Sequence, residues 1–303
     1  MAIYGASMVT IAAAAKEMSS GPGSLLAAAA AVPVGITIVL IQWTVGPGVK
    51  VPTLWSVVCF ALAGICSTYI GRWLVFKSIE RLGPSGSAGL QTISPLITAA
   101  LGWIFLGEVI GTIGFVGIAL GIAGLLAMSI GIDRSQRKTV RPALVMRKGS
   151  RHSFMSATLL IGVGSAAAYS LSHVFRASGV RQWNEALMGA LIGAMAGLLV
   201  LALANHGQMP EYVRQARSNP KAARIFLGVG CLQFLAQALV IASMKYIPAS
   251  MAALISMCTP LVVLPVSYFA LGNDERLSWL TVLGIAITLI GITLVILYGA
   301  PAH

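Results

Sequence analysis

CSTYIGRWLVFKSIERLGPSGSAGLQTISPLITAALGWIFLG, residues 66–107, returns as CLQFLAQALVIASMKYIPASMAALISMCTPLVVLPVSYFALG, residues 231–272, without a gap at a constant offset of 165. Ten of the 42 pairs are identical, among them Cys66/Cys231, Ser78/Ser243, Ser85/Ser250, Pro95/Pro260 and Gly107/Gly272. Leu and Ala matches carry little weight in so apolar a chain. Cys, Pro and Gly falling in one unbroken register carry most of it. The chain is internally duplicated, and inside a membrane such a duplication points to transport.

The register extends outward in both directions. Upstream it pairs Tyr4 with Tyr169, Ser7 with Ser172, Val9 with Val174 and Lys16 with Arg181. Downstream the offset becomes 167, because LGNDERL (271–277) is two residues longer than LGEVI (106–110), and Glu108 meets Glu275, Gly117 meets Gly284 and Gly124 meets Gly291. The expected organisation is a first repeat over 1–131, a basic linker over 132–153 and a second repeat over 154–299.

Composition fixes the medium. Hydrophobic residues make up 57% of the chain and charged residues 9%, with a mean hydropathy of +0.89. A soluble domain carries roughly a quarter charged residues. Apolar runs near the roughly 20 residues that cross a bilayer fall at 24–46, 54–79, 86–107, 110–131, 154–177, 186–204, 225–246, 248–271 and 277–298, with a shorter run at 2–15. Each copy then holds five spans. An odd number reverses the second copy relative to the first, so the expected fold is an all-α polytopic bundle of ten helices in two inverted five-helix repeats. The first helix is short: the helix carrying Tyr169 starts some fifteen residues before it, while Tyr4 has three residues ahead of it. This predicts either a true start upstream of Met1 or a helix that stops in mid-membrane.

The net charge of +12 sits mainly in two loops, with seven Lys and Arg in 133–152 and four in 205–224. Such loops fix topology and touch anionic lipid headgroups. No nucleic-acid module accompanies the charge, so nucleic acid is not expected as a partner. Loops after spans one, three, five, seven and nine carry 15 Lys and Arg; those after the even spans carry 4, counting Arg176 near the end of span six. The positive-inside rule places the first set in the cytoplasm and the carboxyl terminus outside. Cys59, Cys66, Cys231 and Cys258 lie in apolar spans without CxxC spacing, so neither a disulfide nor a metal site is expected, and no cofactor.

The run 71–128, echoed by 238–297, resembles the drug/metabolite transporter superfamily and its ten-helix EamA-type branch. The specific part of the likeness is the order basic residue, small loop, small-residue helix, Ser/Thr-Pro-Leu, Leu-Gly-Glu, glycine-rich helix. The resemblance implies two inverted five-helix repeats, a substrate cavity and carriage of small metabolites such as amino acids across the cell membrane. Relatives are drawn with both termini cytoplasmic, opposite to the charge count. A reporter fused to the carboxyl terminus distinguishes the two.

Candidate substrate residues follow from polar groups that a bilayer makes costly. Pro95 and Pro260, near the middle of spans four and nine, each remove a backbone donor, and paired breaks of this kind mark transporter sites. Gln91, Ser94, Ser256 and Thr259 line the same stretches. The plainer reading is a packing kink. Arg72 in span three has Gln237 as its repeat partner, with Gln233 one turn away on the same span; Arg72 either binds a substrate anion or snorkels to the interface. His173 and Arg176 are one turn apart on span six and share a face. His173 could carry a coupling proton, or be a hydrogen-bonded structural group. Tyr4, Trp103, Tyr169 and Tyr268 either stack on a ligand or fill space. Glycines 114, 117, 121, 124, 284 and 291 allow close helix approach, within the bundle or in a homodimer.

No Asp or Glu is mid-span: Glu108, Glu185 and Glu275 stand at span ends. That removes the usual carboxylate relay of proton-coupled multidrug pumps and tilts the substrate to zwitterions or anions. No HExxH, GxSxG or paired intramembrane carboxylates occur, so an enzyme is not expected. The expectation is a secondary transporter, an exporter of small polar metabolites, with a channel, a scaffold or a membrane enzyme as rivals.

Overall fold

A computed structural model describes residues 20–45, 51–78, 90–108, 111–139, 151–257 and 279–298. The expected first span, Thr259, Pro260, Tyr268 and Glu275 lie outside the described residues. The helices are α1 (Ser20–Val45), α2 (Leu54–Ser78), α3 (Ser94–Leu106), α4 (Thr112–Thr139), α5 (Arg151–Gln182), α6 (Ala186–Ala204), α7 (Met209–Ser218), α8 (Pro220–Ser243), α9 (Ala249–Met257) and α10 (Trp279–Tyr298). No strand occurs among the described residues. The chemistry leaves little choice: an apolar run in a bilayer has no water for its peptide groups, and only a helix satisfies them within one segment.

Among the described residues, four helices have both the length and the apolarity to cross a membrane: Gly21–Val45, Leu54–Ser78, Ala186–Ala204 and Pro220–Ser243. Side chains such as Leu40, Ile41, Trp55, Leu199 and Leu239 are exposed, as a lipid-facing surface requires. Trp103 is also 68% exposed and does not fill the interior. Two helices run into the segment expected as a linker, α4 as far as Thr139 and α5 from Arg151.

The helices gather into two compact units, and neither unit is one repeat. Of the described residues, the first holds those up to Tyr69 together with Ser172–Ile247; the second holds those from Ile70 to Leu171, from Pro248 to Met257 and over Trp279–Tyr298. Each takes helices from both halves of the sequence.

In the first unit α1 packs along α8 and α6, and α2 along α6. Backbones meet directly where side chains vanish. A methyl group on Gly64 would strike the Gly193 carbonyl, and one on Gly230 would strike the Ala27 carbonyl. Shifted by the repeat offset of 165, the first contact becomes Val229 against Ala28, one residue from the second on each helix. Phe60 fills the space beside Gly179 and Gly189, with its ring edge-on to Trp183 at 6.3 Å between centroids.

In the second unit α4 packs along α10, and α3 along α9. A Cβ on Gly124 would lie 2.7 Å from the Gly284 carbonyl, and one on Gly291 would lie 2.6 Å from the Gly117 carbonyl. Applying the offset of 167 exchanges these two contacts, since Gly124 becomes Gly291 and Gly117 becomes Gly284. The earlier residue of each helix meets the later one of its partner, so these repeat-equivalent helices run antiparallel. Inversion of the repeat is thus visible in one helix pair. The glycine stripe of α4 is occupied within the chain, and no dimer is proposed through it.

Candidate functional site

Polar side chains collect in each unit around α5, which contributes residues to both. In the second unit the expected span 86–107 is interrupted. Leu90 and Gln91 are helical, Thr92 and Ile93 form a turn, and α3 starts afresh at Ser94. Pro95 therefore occupies the first turn of α3. Its missing N–H is one that a helix start leaves unpaired in any case. The break lies at Thr92 and Ile93, ahead of the proline itself, because Pro95 has no N–H to offer the carbonyl one turn back and its ring crowds that carbonyl.

Hydroxyls take up the backbone groups at this break. Ser170 donates to the Ser94 carbonyl at 2.9 Å and lies 3.0 Å from the Ser94 hydroxyl. Thr98 donates to the same carbonyl at 2.9 Å. Gln91 donates its amide to Ser165, which in turn donates to the Gly162 carbonyl at 2.6 Å. The Gln91 carbonyl oxygen is buried and without a hydrogen-bond partner among the described residues. Ser94, Thr98, Ser165 and Ser170 are all fully buried. This is a neutral cluster, suited to hydroxyl, amide or ammonium groups.

The first unit holds a charged counterpart. The middle of α2, Ile65–Gly71, is π-helical. Such a stretch spaces its carbonyls differently from the regular ladder and recurs at functional sites. At its edge the Ala63 carbonyl accepts from Ser67 at 2.9 Å and from Ser172 of α5 at 2.8 Å. Arg176, 6% exposed, donates from Nη2 to the Ser67 hydroxyl at 2.9 Å. His173, one turn back on α5, is 5% exposed, and its Nδ1 has no hydrogen-bond partner among the described residues. Guanidinium and imidazole can together meet a carboxylate or phosphate oxygen.

The remaining candidates are Arg72, Gln233, Gln237, Ser256, Thr259 and Pro260. Arg72 is half-buried just beyond the π stretch. Gln233 and Gln237 are half-buried on α8. Ser256 donates to the Ala252 carbonyl at 2.7 Å. Thr259 and Pro260 lie outside the described residues. Among the described residues no group of His, Cys, Asp or Glu is arranged to hold a metal ion.

Sequence reasoning passed over Ser67, Ser165, Ser170 and Ser172. The visible signal was GSAAAYSLSH (164–173), where hydroxyls crowd one stretch of an apolar span just before Arg176. It also gave Glu108 no task. Glu108 is buried, and both its carboxylate oxygens accept from the Ala249 N–H, at 2.9 and 3.1 Å. It thereby caps the start of α9 from the end of α3, where a negative charge also favours the helix dipole.

Comparison with known proteins follows the same lines. The model of the EamA-like transporter family matches residues 1–130 and again residues 156–297. Among curated proteins none matches. A solved structure titled only as the crystal structure of a protein aligns with a TM-score of 0.62 over 97% of both chains, at 16% identity. That likeness shows a shared fold and nothing further.

Proposed function

The chain belongs to the EamA-like transporter family, and from that premise we propose that it is a secondary active carrier of small polar metabolites bearing a carboxylate. It is a multi-pass membrane protein of a transporter family; the substrate, the direction and the mechanism are our reading. Amino acids and related zwitterions or anions are the substrate class, export across the cell membrane is the direction, and alternating access built on the inverted repeats is the mechanism.

One observation carries the substrate class: the buried Arg176 guanidinium, hydrogen-bonded to Ser67 at the π-helical stretch. A permanent cation at membrane depth is costly and is retained where it meets substrate, ions or water. A carboxylate entering there gains charge-assisted hydrogen bonds from Arg176, and His173 adds a second nitrogen on the same face. The interrupted helix before α3 supports the mechanism, because a turn inside a span gives a transporter a hinge and exposes backbone polar groups.

Metabolite profiling of medium and cytosol tests the reading in cells over-producing the chain, with a Pro95/Pro260 double substitution as control. A carboxylate-bearing solute is expected to redistribute to the medium with the native chain alone. Identical profiles for the two chains would remove the exporter reading.

A further inference from the structure

The short helix α7 joins the spans α6 and α8, which places it where hydrocarbon gives way to headgroups. Its residues divide cleanly. Pro210, Val213, Arg214, Arg217 and Ser218, at i, i+3, i+4, i+7 and i+8, are all exposed and line a hollow of about 360 Å³. Met209, Tyr212, Gln215 and Ala216 are half-buried on the other side. The Tyr212 ring lies against Gly21 at the start of α1, and its hydroxyl donates to Gln208 at 2.6 Å. The inner face therefore fixes α7 to the first unit, and the outer face is left to the surroundings.

We propose that this outer face binds the phosphate-bearing headgroup of an acidic membrane phospholipid. Charge complementarity carries the assignment. Residues 205–224 hold four Lys and Arg against the single acid Glu211. Arg214 pairs with Glu211 at 2.6 Å, which positions its guanidinium and offsets part of its charge. Arg217 stands one turn further on, and Lys221 and Arg224 are exposed at the start of α8. Two guanidiniums a turn apart suit a phosphodiester, and each cation near an anionic surface adds attraction on the order of 1 kcal/mol.

Apolar surface on the same stripe argues for a lipid over a soluble anion. Val213 is 44% exposed beside the arginines, and Leu199 and Leu203 stand exposed toward the end of α6. A glycerol backbone and acyl chain would cover such groups; a free phosphate would not. The proposal is independent of what the protein carries.

The test uses the full purified chain in nanodiscs of phosphatidylcholine, with and without phosphatidylglycerol. Retained lipid is counted by native mass spectrometry, and the unfolding midpoint is followed. R214A/R217A is expected to bind phosphatidylglycerol about tenfold more weakly while keeping its midpoint in phosphatidylcholine alone. Should that variant fail to fold, V213D, which places a negative charge on the exposed stripe, carries the test and is expected to lose the lipid as well. R181A/K245A removes two cations elsewhere and is expected to keep it. The proposal is overturned if the α7 variants retain phosphatidylglycerol like the native chain, or if R181A/K245A loses it equally. Inorganic phosphate reproducing the midpoint shift would also overturn it, because the site would then be one for free anions.

Discussion

Arg176 Nη2 donates to the Ser67 hydroxyl at 2.9 Å, tying the charge on α5 to the π-helical middle of α2. Ser67 itself donates to the Ala63 carbonyl at 2.9 Å, and Ser172 donates to the same carbonyl at 2.8 Å. A buried cation is thus linked through one hydroxyl to the irregular stretch of a membrane helix. Ser67→Ala keeps the side chain's size but removes the link. Interhelical hydrogen bonds in membranes average about 0.6 kcal/mol and reach about 1.7. Ser67→Ala is expected to cost about 1 kcal/mol in equilibrium unfolding and to weaken transport further than that loss explains, because the guanidinium is no longer held in place.

The glycine contacts give a sharper structural prediction. Gly64→Ala drives a methyl group into the Gly193 backbone, which cannot move aside as a side chain end would. Such overpacking costs typically 1–3 kcal/mol. Gly228 on α8 has open space where a Cβ would go. Gly228→Ala should be neutral or stabilising by up to about 1 kcal/mol, since alanine is the better helix former. Thermal unfolding of the two variants side by side checks the pair.

Glu108→Ala removes the carboxylate that accepts from the Ala249 N–H and leaves that donor buried at the start of α9. An orphaned buried donor costs about 1–3 kcal/mol. Glu108→Gln keeps one oxygen as an acceptor and is expected to recover most of the loss. Equal destabilisation by Ala and Gln would show that charge at the helix terminus, and not the hydrogen bond, is what counts.

On α7, the Gln215 amide and then the Arg214 guanidinium hold the Glu211 carboxyl below its ordinary value. A depressed acid contributes its stabilisation above the usual carboxylate range, and the contribution disappears as the pH falls through the lowered value. The effect is small because the group is solvated. Carbon NMR of the labelled carboxyl should give a midpoint below that of a free glutamate, and Gln215→Ala should raise it.

Much of the architecture was legible in the sequence because its signals are collective. The register joining Gly117 to Gly284 and Gly124 to Gly291 anticipates the antiparallel α4 and α10 pair, and a run such as Ala186–Ala204 has no alternative to a membrane helix. The site was less legible. His173 and Arg176 could be paired because one turn of a single helix separates them. The Ser67 partner of Arg176 lies 109 residues away, and its hydroxyl is placed by a π-helical stretch that no composition signals. Glu108 reads as an ordinary span-end acid, because its role depends on Ala249, 141 residues on. Pro95 marked the interruption of its span but not its location, since the turn falls at Thr92 and Ile93.

Counterflow in proteoliposomes tests the central claim most directly. Vesicles containing the purified chain are loaded with unlabelled amino acids and diluted into a trace of labelled ones. A carrier accumulates label transiently and with saturation, and Arg176→Gln is expected to abolish the signal while the protein remains folded. Flux that rises without saturation, label uptake no greater than in empty vesicles, or full counterflow in Arg176→Gln would contradict a carboxylate carrier centred on Arg176.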